Sequence, residues 1–235
     1  MAILLANGLR SLFLVLCCVR VATLIYTISI DGLPFRKDLL TLWMAILLSD
    51  SYIDVLPLAV WVFYKETNSI AAIAWIILLV CFGSITTCAY VFIQFLKLSP
   101  QDPIYHVLLR HENKNVLEQK REQKSNHSPV LVAGITFSIL GFLMSGTWIY
   151  ALVTHDLYYF HKEFYTPWMT ATLVDFSINL IVLLVWVVYK ESSWLSAFLW
   201  IILFLCFGSS CTCAYIVKQL LQLSSQDPLY LVLLN

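Results

Sequence analysis

Six long apolar stretches restrict what this chain can fold into. A helix needs about 20 mostly apolar residues to cross the hydrocarbon core of a bilayer, and each stretch is at least this long. Helices of soluble proteins keep a polar face, which these stretches lack. The sequence therefore predicts six membrane helices, at residues 9–30, 41–64, 70–96, 130–154, 166–189 and 194–221.

The composition also indicates an integral, multi-pass membrane protein. Charged residues make up 12% of the 235 residues and hydrophobic residues 60%, whereas about a quarter of the residues in a soluble domain are charged. A net charge of +0 argues against a nucleic-acid partner, which would need a basic face. We expect the lipid bilayer as partner, a membrane of the secretory pathway as location, and no cofactor.

The two halves of the chain repeat one another at a constant offset of 125 residues. The motif YKE at 64–66 recurs at 189–191, CFGS at 81–84 recurs at 206–209, and QDP at 101–103 recurs at 226–228. Chance similarity between apolar helices would match scattered Leu and Val rather than Cys, Asp and Pro. We predict an all-α, six-helix membrane bundle of two three-helix repeats, at 1–109 and 129–235, joined by a charged polar linker at 110–128.

An odd number of crossings per repeat implies that the second copy enters from the opposite side of the membrane. Inverted repeats of this kind recur in transporters, although a duplicated fold does not by itself imply transport. The distribution of lysine and arginine over the predicted loops favours a cytoplasmic linker and two termini on the outer or lumenal face.

The repeated motifs WM, YKE, CFGS, TCAY and QDP resemble a plant family of multispan membrane proteins known as domain of unknown function fourteen seventy-five. That resemblance implies an integral membrane protein and no particular activity. The spacing of Asp, Trp, Glu and Phe-Gly is also similar to small three-span proteins grouped with membrane terpene cyclases. This second resemblance implies acid catalysis on a lipophilic substrate, but Asn179 stands where the first repeat has Asp54 and breaks a shared two-carboxylate pattern.

Five polar residues within the predicted spans form a candidate midplane site: Arg20, Asp50, Asp54, Asp175 and Asn179. A charge at the bilayer centre costs about 2.5–3.5 kcal/mol, so it should face the bundle interior and find a partner. Asp50 and Asp54 are four residues apart and share one helical face. Arg20 and Asp50 are expected at nearly the same depth in adjacent helices, which predicts an ion pair between them.

Two interpretations of these charges remain open. The pair of Arg20 and Asp50 can be a purely structural link between helices, or the site can exchange a proton through Asp54 or Asp175. The position that matches Arg20 in the second repeat is Ser145, which leaves Asp175 without an equivalent cation. We therefore predict Asp175 as the titrating group, with a hydrogen bond from Asn179.

Small residues at helical spacing predict close packing between helices. They are Gly83, Ser84, Cys88, Gly208, Ser209, Cys213, Gly134 and Gly141. Glu66 and Glu191 are interpreted as solvated loop charges. His155, Asp156 and His161 share one loop but are too few for a metal site, and the seven cysteines are interpreted as free, buried thiols.

Three classes of function are compatible with these residues. The first is the handling of a small solute or of protons at the midplane site, the second is a membrane enzyme acting on a lipophilic substrate, and the third is a structural or assembly role. The first requires access from both faces, and the second requires a cavity that opens sideways to lipid and is lined by Trp or Tyr. The sequence favours the first and leans against an enzyme.

Overall fold

The computed structural model describes residues 2–34, 36–98, 107–108, 128–154, 164–223 and 232. The described part is helical, as predicted, and contains eight α-helices. They are α1 (Ala2–Asp31), α2 (Leu42–Lys65), α3 (Ser69–Phe82), α4 (Ser84–Leu96), α5 (Ser128–Thr154), α6 (Pro167–Lys190), α7 (Trp194–Phe207) and α8 (Ser209–Gln222). The predicted linker at 110–128 lies outside these residues except for Ser128, and the loop with His155, Asp156 and His161 lies outside them entirely.

Four of these helices, α1, α2, α5 and α6, are long and apolar enough to cross a membrane. Local sequence sets where several helices begin: the Thr41 side chain accepts a hydrogen bond from the backbone N–H of Met44, Asn68 caps α3, and Pro167 occupies the first turn of α6. Aliphatic side chains cover much of the molecular surface, as a lipid-facing protein requires.

The predicted third span is not a single helix. The ring centroids of Trp75 in α3 and Tyr90 in α4 lie 5.1 Å apart, whereas a straight helix would separate these residues by about 22 Å. The Tyr90 hydroxyl also donates to Glu66, in the short connection that precedes α3, over 2.9 Å. Helices α3 and α4 therefore fold back on each other as an antiparallel hairpin, here called hairpin 1.

The predicted sixth span folds in the same way. Trp200 in α7 and Tyr215 in α8 have ring centroids 4.8 Å apart, and Lys218 reaches back to Glu191 over 3.0 Å. Helices α7 and α8 form hairpin 2. The prediction of six membrane-crossing helices is therefore not confirmed: in the described residues, each repeat consists of two long helices followed by one helical hairpin.

A glycine forms the turn of each hairpin. Gly83 has φ +54° and Gly208 has φ +53°, values that residues with a Cβ atom rarely adopt. The hydroxyl of Thr86 in α4 donates to the carbonyl of Leu78 in α3 and ties the two arms together next to the turn. The apolar composition of α3 and α4 would be the same in a straight helix and in a hairpin. The feature of the local sequence that permits the turn is therefore the glycine between them.

The two repeats are packed as a parallel pair. Trp43 and Trp168, at the starts of α2 and α6, share one apolar cluster, while Val62 and Val187, near the other ends, share the second. Both hairpins thus begin at one end of the bundle, called the hairpin side, and the connection between α1 and α2 lies at the other end, called the loop side. The predicted inverted arrangement is not confirmed, because α2 and α6 run in the same direction in the described structure.

The first long helix of each repeat packs on helices of both repeats. Helix α1 packs on α4 of its own repeat and on α6 of the other, and α5 packs likewise on α8 and on α2. Helices α2 and α6 contact each other at the centre. Each hairpin turn is consequently brought against a long helix of the opposite repeat.

Candidate functional site

The turn of hairpin 1 is held by a carboxylate from the second repeat. Asp175 in α6 accepts hydrogen bonds through Oδ1 from the backbone N–H of Ser84 over 3.0 Å and from its hydroxyl over 2.6 Å. The break at Gly83 leaves this N–H without a helical partner, and the positive end of the α4 dipole favours an anion here. A carboxylate between packed apolar helices is thereby stabilised by backbone geometry.

Hairpin 2 has the reciprocal arrangement. Asp50 in α2 accepts hydrogen bonds through Oδ1 from the N–H and the hydroxyl of Ser209, at the start of α8. Each repeat therefore caps the hairpin of the other. The Gly-Ser motif and one aspartate recur at the same offset in both halves, which is a sequence signal of this pairing. The sequence analysis interpreted Gly-Ser as a helix-packing motif only.

Both turns require glycine for a second reason. A Cβ atom at Gly83 would lie 2.5 Å from Oδ2 of Asp175, and a Cβ atom at Gly208 would lie 2.6 Å from Oδ2 of Asp50. These distances are too short for any side chain. The glycines permit the carboxylates to approach the backbone.

Arg20 pairs with Asp175 and not with Asp50. Its Nε donates to Oδ1 of Asp175 over 2.8 Å, and its Nη1 donates to the carbonyl of Ala171 over 3.1 Å. The predicted pairing with Asp50 is wrong because α1 packs on α6, and Asp175 lies at the same level as Asp50 in the parallel repeat. Asp175 consequently has a cationic partner, and Asp50 has none among the described residues.

Asp54 and Asn179 lie in the interior without hydrogen bonds. Both are 0% exposed, and neither side chain has a hydrogen-bond partner in the described part of the chain. The predicted hydrogen bond between Asn179 and Asp175 is therefore not formed. The Thr212 hydroxyl faces Asp54 but does not form a well-defined hydrogen bond with it.

A cavity of about 410 Å³ reaches the ion pair from the loop side, and we call it the loop-side cavity. Arg20, Asp175 and Gly83 form its floor, where the turn of hairpin 1 lies, and Arg36 lies near its mouth. Asp50, Asp54 and Asn179 are not among its lining residues. The five predicted site residues thus separate into a pair that borders a cavity and three that are enclosed.

A larger cavity of about 650 Å³ lies on the hairpin side between the two repeats and is called the hairpin-side cavity. Its wall is almost entirely apolar, and Phe13, Phe95 and Ile181 are typical lining residues. Val55 lines the loop-side cavity and Leu58 lines the hairpin-side cavity. These residues are less than one helical turn apart on α2, so the linings of the two cavities nearly meet on this helix.

Comparison with known protein families explains the duplication. One family model, described as a protein of unknown function (DUF1475), matches residues 4–115 and again residues 116–235. The chain belongs to this family. Comparison with curated proteins and with solved structures finds no match. Each of the two DUF1475 units contains two long helices and one complete hairpin.

The base of each hairpin in the DUF1475 units carries a polar cluster that the sequence reading missed. Glu191 accepts hydrogen bonds from Ser196 over 2.6 Å and from Lys218 over 3.0 Å, and its side chain is 11% exposed. The prediction that Glu191 is a solvated loop charge is therefore wrong. Desolvation acts to raise the pKa of Glu191, but the hydrogen bonds from Ser196 and Lys218 outweigh it and lower the pKa.

The predicted packing residues of the two DUF1475 units do not all have close neighbours. Gly141 permits α8 to approach α5, because a Cβ atom there would lie 3.0 Å from Cβ of Cys213. Gly134 has open space around it in the described structure, so the close packing predicted there is absent. Cys88 and Cys213 are buried, and all seven cysteines are free thiols.

Proposed function

We propose that this protein is an integral membrane protein that binds a small solute at the ion pair of Arg20 and Asp175 and carries it past hairpin 1. The single observation that carries this proposal is the loop-side cavity, which ends at a charged pair and a helix turn. Polar groups deep in a membrane protein usually mark a solute or ion pathway, and broken helices commonly form such sites.

Access from two sides supports carriage rather than simple binding. The loop-side cavity extends from the loop side past Gly83 to Val55, and the hairpin-side cavity begins at Leu58 and continues toward the other end of α2. Between them, hairpin 1 contacts α1 and α6, which belong to different repeats. A small shift of the hairpin turn against α6 would join the cavities.

An acid-catalysed membrane enzyme is less well supported. The loop-side cavity contains Tyr52 and Trp168 in its wall, as a lipophilic substrate site would. However, its described carboxyl group is Asp175, whose Oδ1 already accepts hydrogen bonds from Arg20 and Ser84 and is therefore poorly placed to donate a proton. General acid catalysis needs a carboxyl group that holds a proton.

A cavity-filling substitution tests the proposal. Leu48 lines the loop-side cavity, whereas Leu173, its counterpart in the second repeat, does not line either of the two cavities. We expect Leu48→Trp to remove a small molecule that co-purifies with the wild-type protein and with Leu173→Trp, as measured by mass spectrometry of extracts from washed protein. Identical extracts from all three folded proteins would reject the proposal.

Proton handling is a second candidate, supported by Asp54. An enclosed carboxylate without a cation is too costly to remain charged, so this side chain is most stable in its protonated form. Ser51, one helical turn away on α2, lines the loop-side cavity and has a hydroxyl without a partner in the described structure. That hydroxyl offers a short route between the cavity and Asp54.

The duplicated chain supplies a natural test of Asp54. Asn179 occupies the matching position, so Asp54→Asn should fold. We expect wild-type protein in vesicles to take up protons under a potassium diffusion potential, followed with an entrapped pH dye, and Asp54→Asn to lose this uptake. Equal fluxes in the two proteins would exclude Asp54 as a proton carrier.

We further propose that the hairpin side faces the cytoplasm in a secretory-pathway membrane, with units at 1–109 and 129–235 and a linker at 110–128. Both hairpins enter from this side, so it includes the ends of α4 and α8 and the starts of α1 and α5. Ten of the 14 lysines and arginines then belong to it, in line with the positive-inside tendency. They are Arg10, Lys65, Lys97, Arg110, Lys114, Lys120, Arg121, Lys124, Lys190 and Lys218.

A further inference from the structure

We infer that the solute of the loop-side cavity is an uncharged amphiphile, with an apolar body and one oxygen acceptor at its end. This inference rests on the proposed function and names its substrate class. A volume of about 410 Å³ lies within the range of sites for drug-sized molecules, about 300–1,000 Å³. The solute is therefore a single medium-length chain or a small ring system.

The walls of the cavity call for an apolar body. Between the mouth and the floor, the side chains that line it are mostly aliphatic or aromatic, such as Leu24, Ile28, Leu48, Leu79 and Phe82. A sugar or an amino acid would lose its hydration against these walls without gaining hydrogen bonds, which is unfavourable. The wall of the hairpin-side cavity is still more apolar, so a strongly polar solute would meet the same penalty there.

The floor calls for an oxygen acceptor. The guanidinium of Arg20 has five N–H groups, and two of them are used, for Asp175 and for the carbonyl of Ala171. Three N–H groups remain without a partner in the described structure, and Arg20 lines the cavity. A hydroxyl, carbonyl or ether oxygen would accept a charge-assisted hydrogen bond from one of them.

Charge balance calls for a neutral solute. Arg20 and Asp175 neutralise each other at 2.8 Å, and Oδ1 of Asp175 already accepts three hydrogen bonds. A carboxylate or an ammonium group on the solute would add an uncompensated charge inside the bundle, and its desolvation would weaken binding.

The rim of the cavity indicates entry from the bilayer. Three of its aliphatic lining residues are exposed at the molecular surface: Ile28 is 39% exposed, Leu40 70% and Val80 50%. An apolar body gains nothing by leaving lipid for an apolar cavity, because lipid tails are equally apolar. Selection must therefore come from the hydrogen bond to Arg20.

Photolabelling of the full-length protein in lipid nanodiscs tests the inference with three diazirine probes. The first is a long-chain primary alcohol, the second is an alkane of the same length, and the third is a short, water-soluble diol. Labelled cavity peptides are quantified by mass spectrometry in wild-type protein, in Leu48→Trp and in Leu173→Trp. We expect the alcohol to label cavity residues about tenfold more than the alkane, and Leu48→Trp alone to abolish this labelling.

The outcomes separate the two proposals. If the diol alone labels the cavity and Leu48→Trp removes this labelling, the solute is not an amphiphile but solute binding stands. If Leu48→Trp changes the labelling by none of the three probes, both proposals are overturned. Equal labelling by alcohol and alkane would remove the acceptor from the inference. Arg20→Lys keeps the charge but has fewer N–H groups, and it should reduce the preference for the alcohol; an unchanged preference would exclude Arg20 as the donor.

Discussion

The partner of Arg20 can be decided by a double-mutant cycle. In the structure, its guanidinium pairs with Asp175, and the side chains are 11% and 14% exposed. Removal of one member of a buried pair costs about 3–5 kcal/mol. The Ser84 donors and the α4 N-terminus still stabilise Asp175 when Arg20 is lost, so we expect Arg20→Leu to lower the free energy of unfolding by about 2–3 kcal/mol.

Asp175→Asn is the second arm of the cycle. Its side-chain oxygen can still accept a hydrogen bond from the N–H of Ser84, but Arg20 is left without an anion, which should again cost about 2–3 kcal/mol. Once the first substitution has broken the pair, the second has little more to remove. We expect the double variant to be no less stable than either single one, which corresponds to a coupling of about 2–3 kcal/mol.

The assay is the free energy of unfolding of purified variants, measured by titration with a denaturing detergent or by steric trapping in micelles. Arg20→Leu combined with Asp50→Asn is the matched control, because Asp50 occupies the equivalent position in the other repeat. The two effects should add within about 0.5 kcal/mol. Additivity with Asp175, or coupling with Asp50, would refute the pairing.

Three further predictions follow from the turns, the topology and the hairpin base. Gly83→Ala should lower the free energy of unfolding by about 3–5 kcal/mol, through a disfavoured φ and displacement of a hydrogen-bonded carboxylate, whereas Gly134→Ala, in open helical space, should be neutral or stabilising; equal melting temperatures for both would refute the turn. Cysteines placed at 65–69 and at 190–193 should react with an impermeant reagent from the same membrane face, and labelling from opposite faces would restore the inverted arrangement. The pKa of Glu191 is lowered on folding, so its contribution to stability is complete above the ordinary glutamate pKa of about 4.3 and is lost as the pH falls through the lower folded value. The melting temperature of Glu191→Gln should therefore respond less to acid than that of the wild type. An unchanged acid response would exclude Glu191 as a source of acid sensitivity.

The sequence alone determined the helical class, the duplication and which intramembrane polar residues to expect as candidates. Apolar stretches of this length restrict the backbone to helices because the bilayer offers no hydrogen bonds. The constant offset identified the duplication, and the cost of intramembrane charge selected Arg20, Asp50 and Asp175 for attention. These inferences depend on composition and spacing, which are properties of the chain itself.

Only the tertiary structure decided how those residues combine. A straight span and a hairpin have the same apolar composition, and the choice rests on backbone angles at Gly83 and Gly208. That choice returns the chain to the end of the bundle where each hairpin began, and α2 and α6 of the two repeats run in the same direction. It also decides that α1 packs on α6 and that Arg20 meets Asp175, because two carboxylates at equal depth are distinguished only by which helices are neighbours.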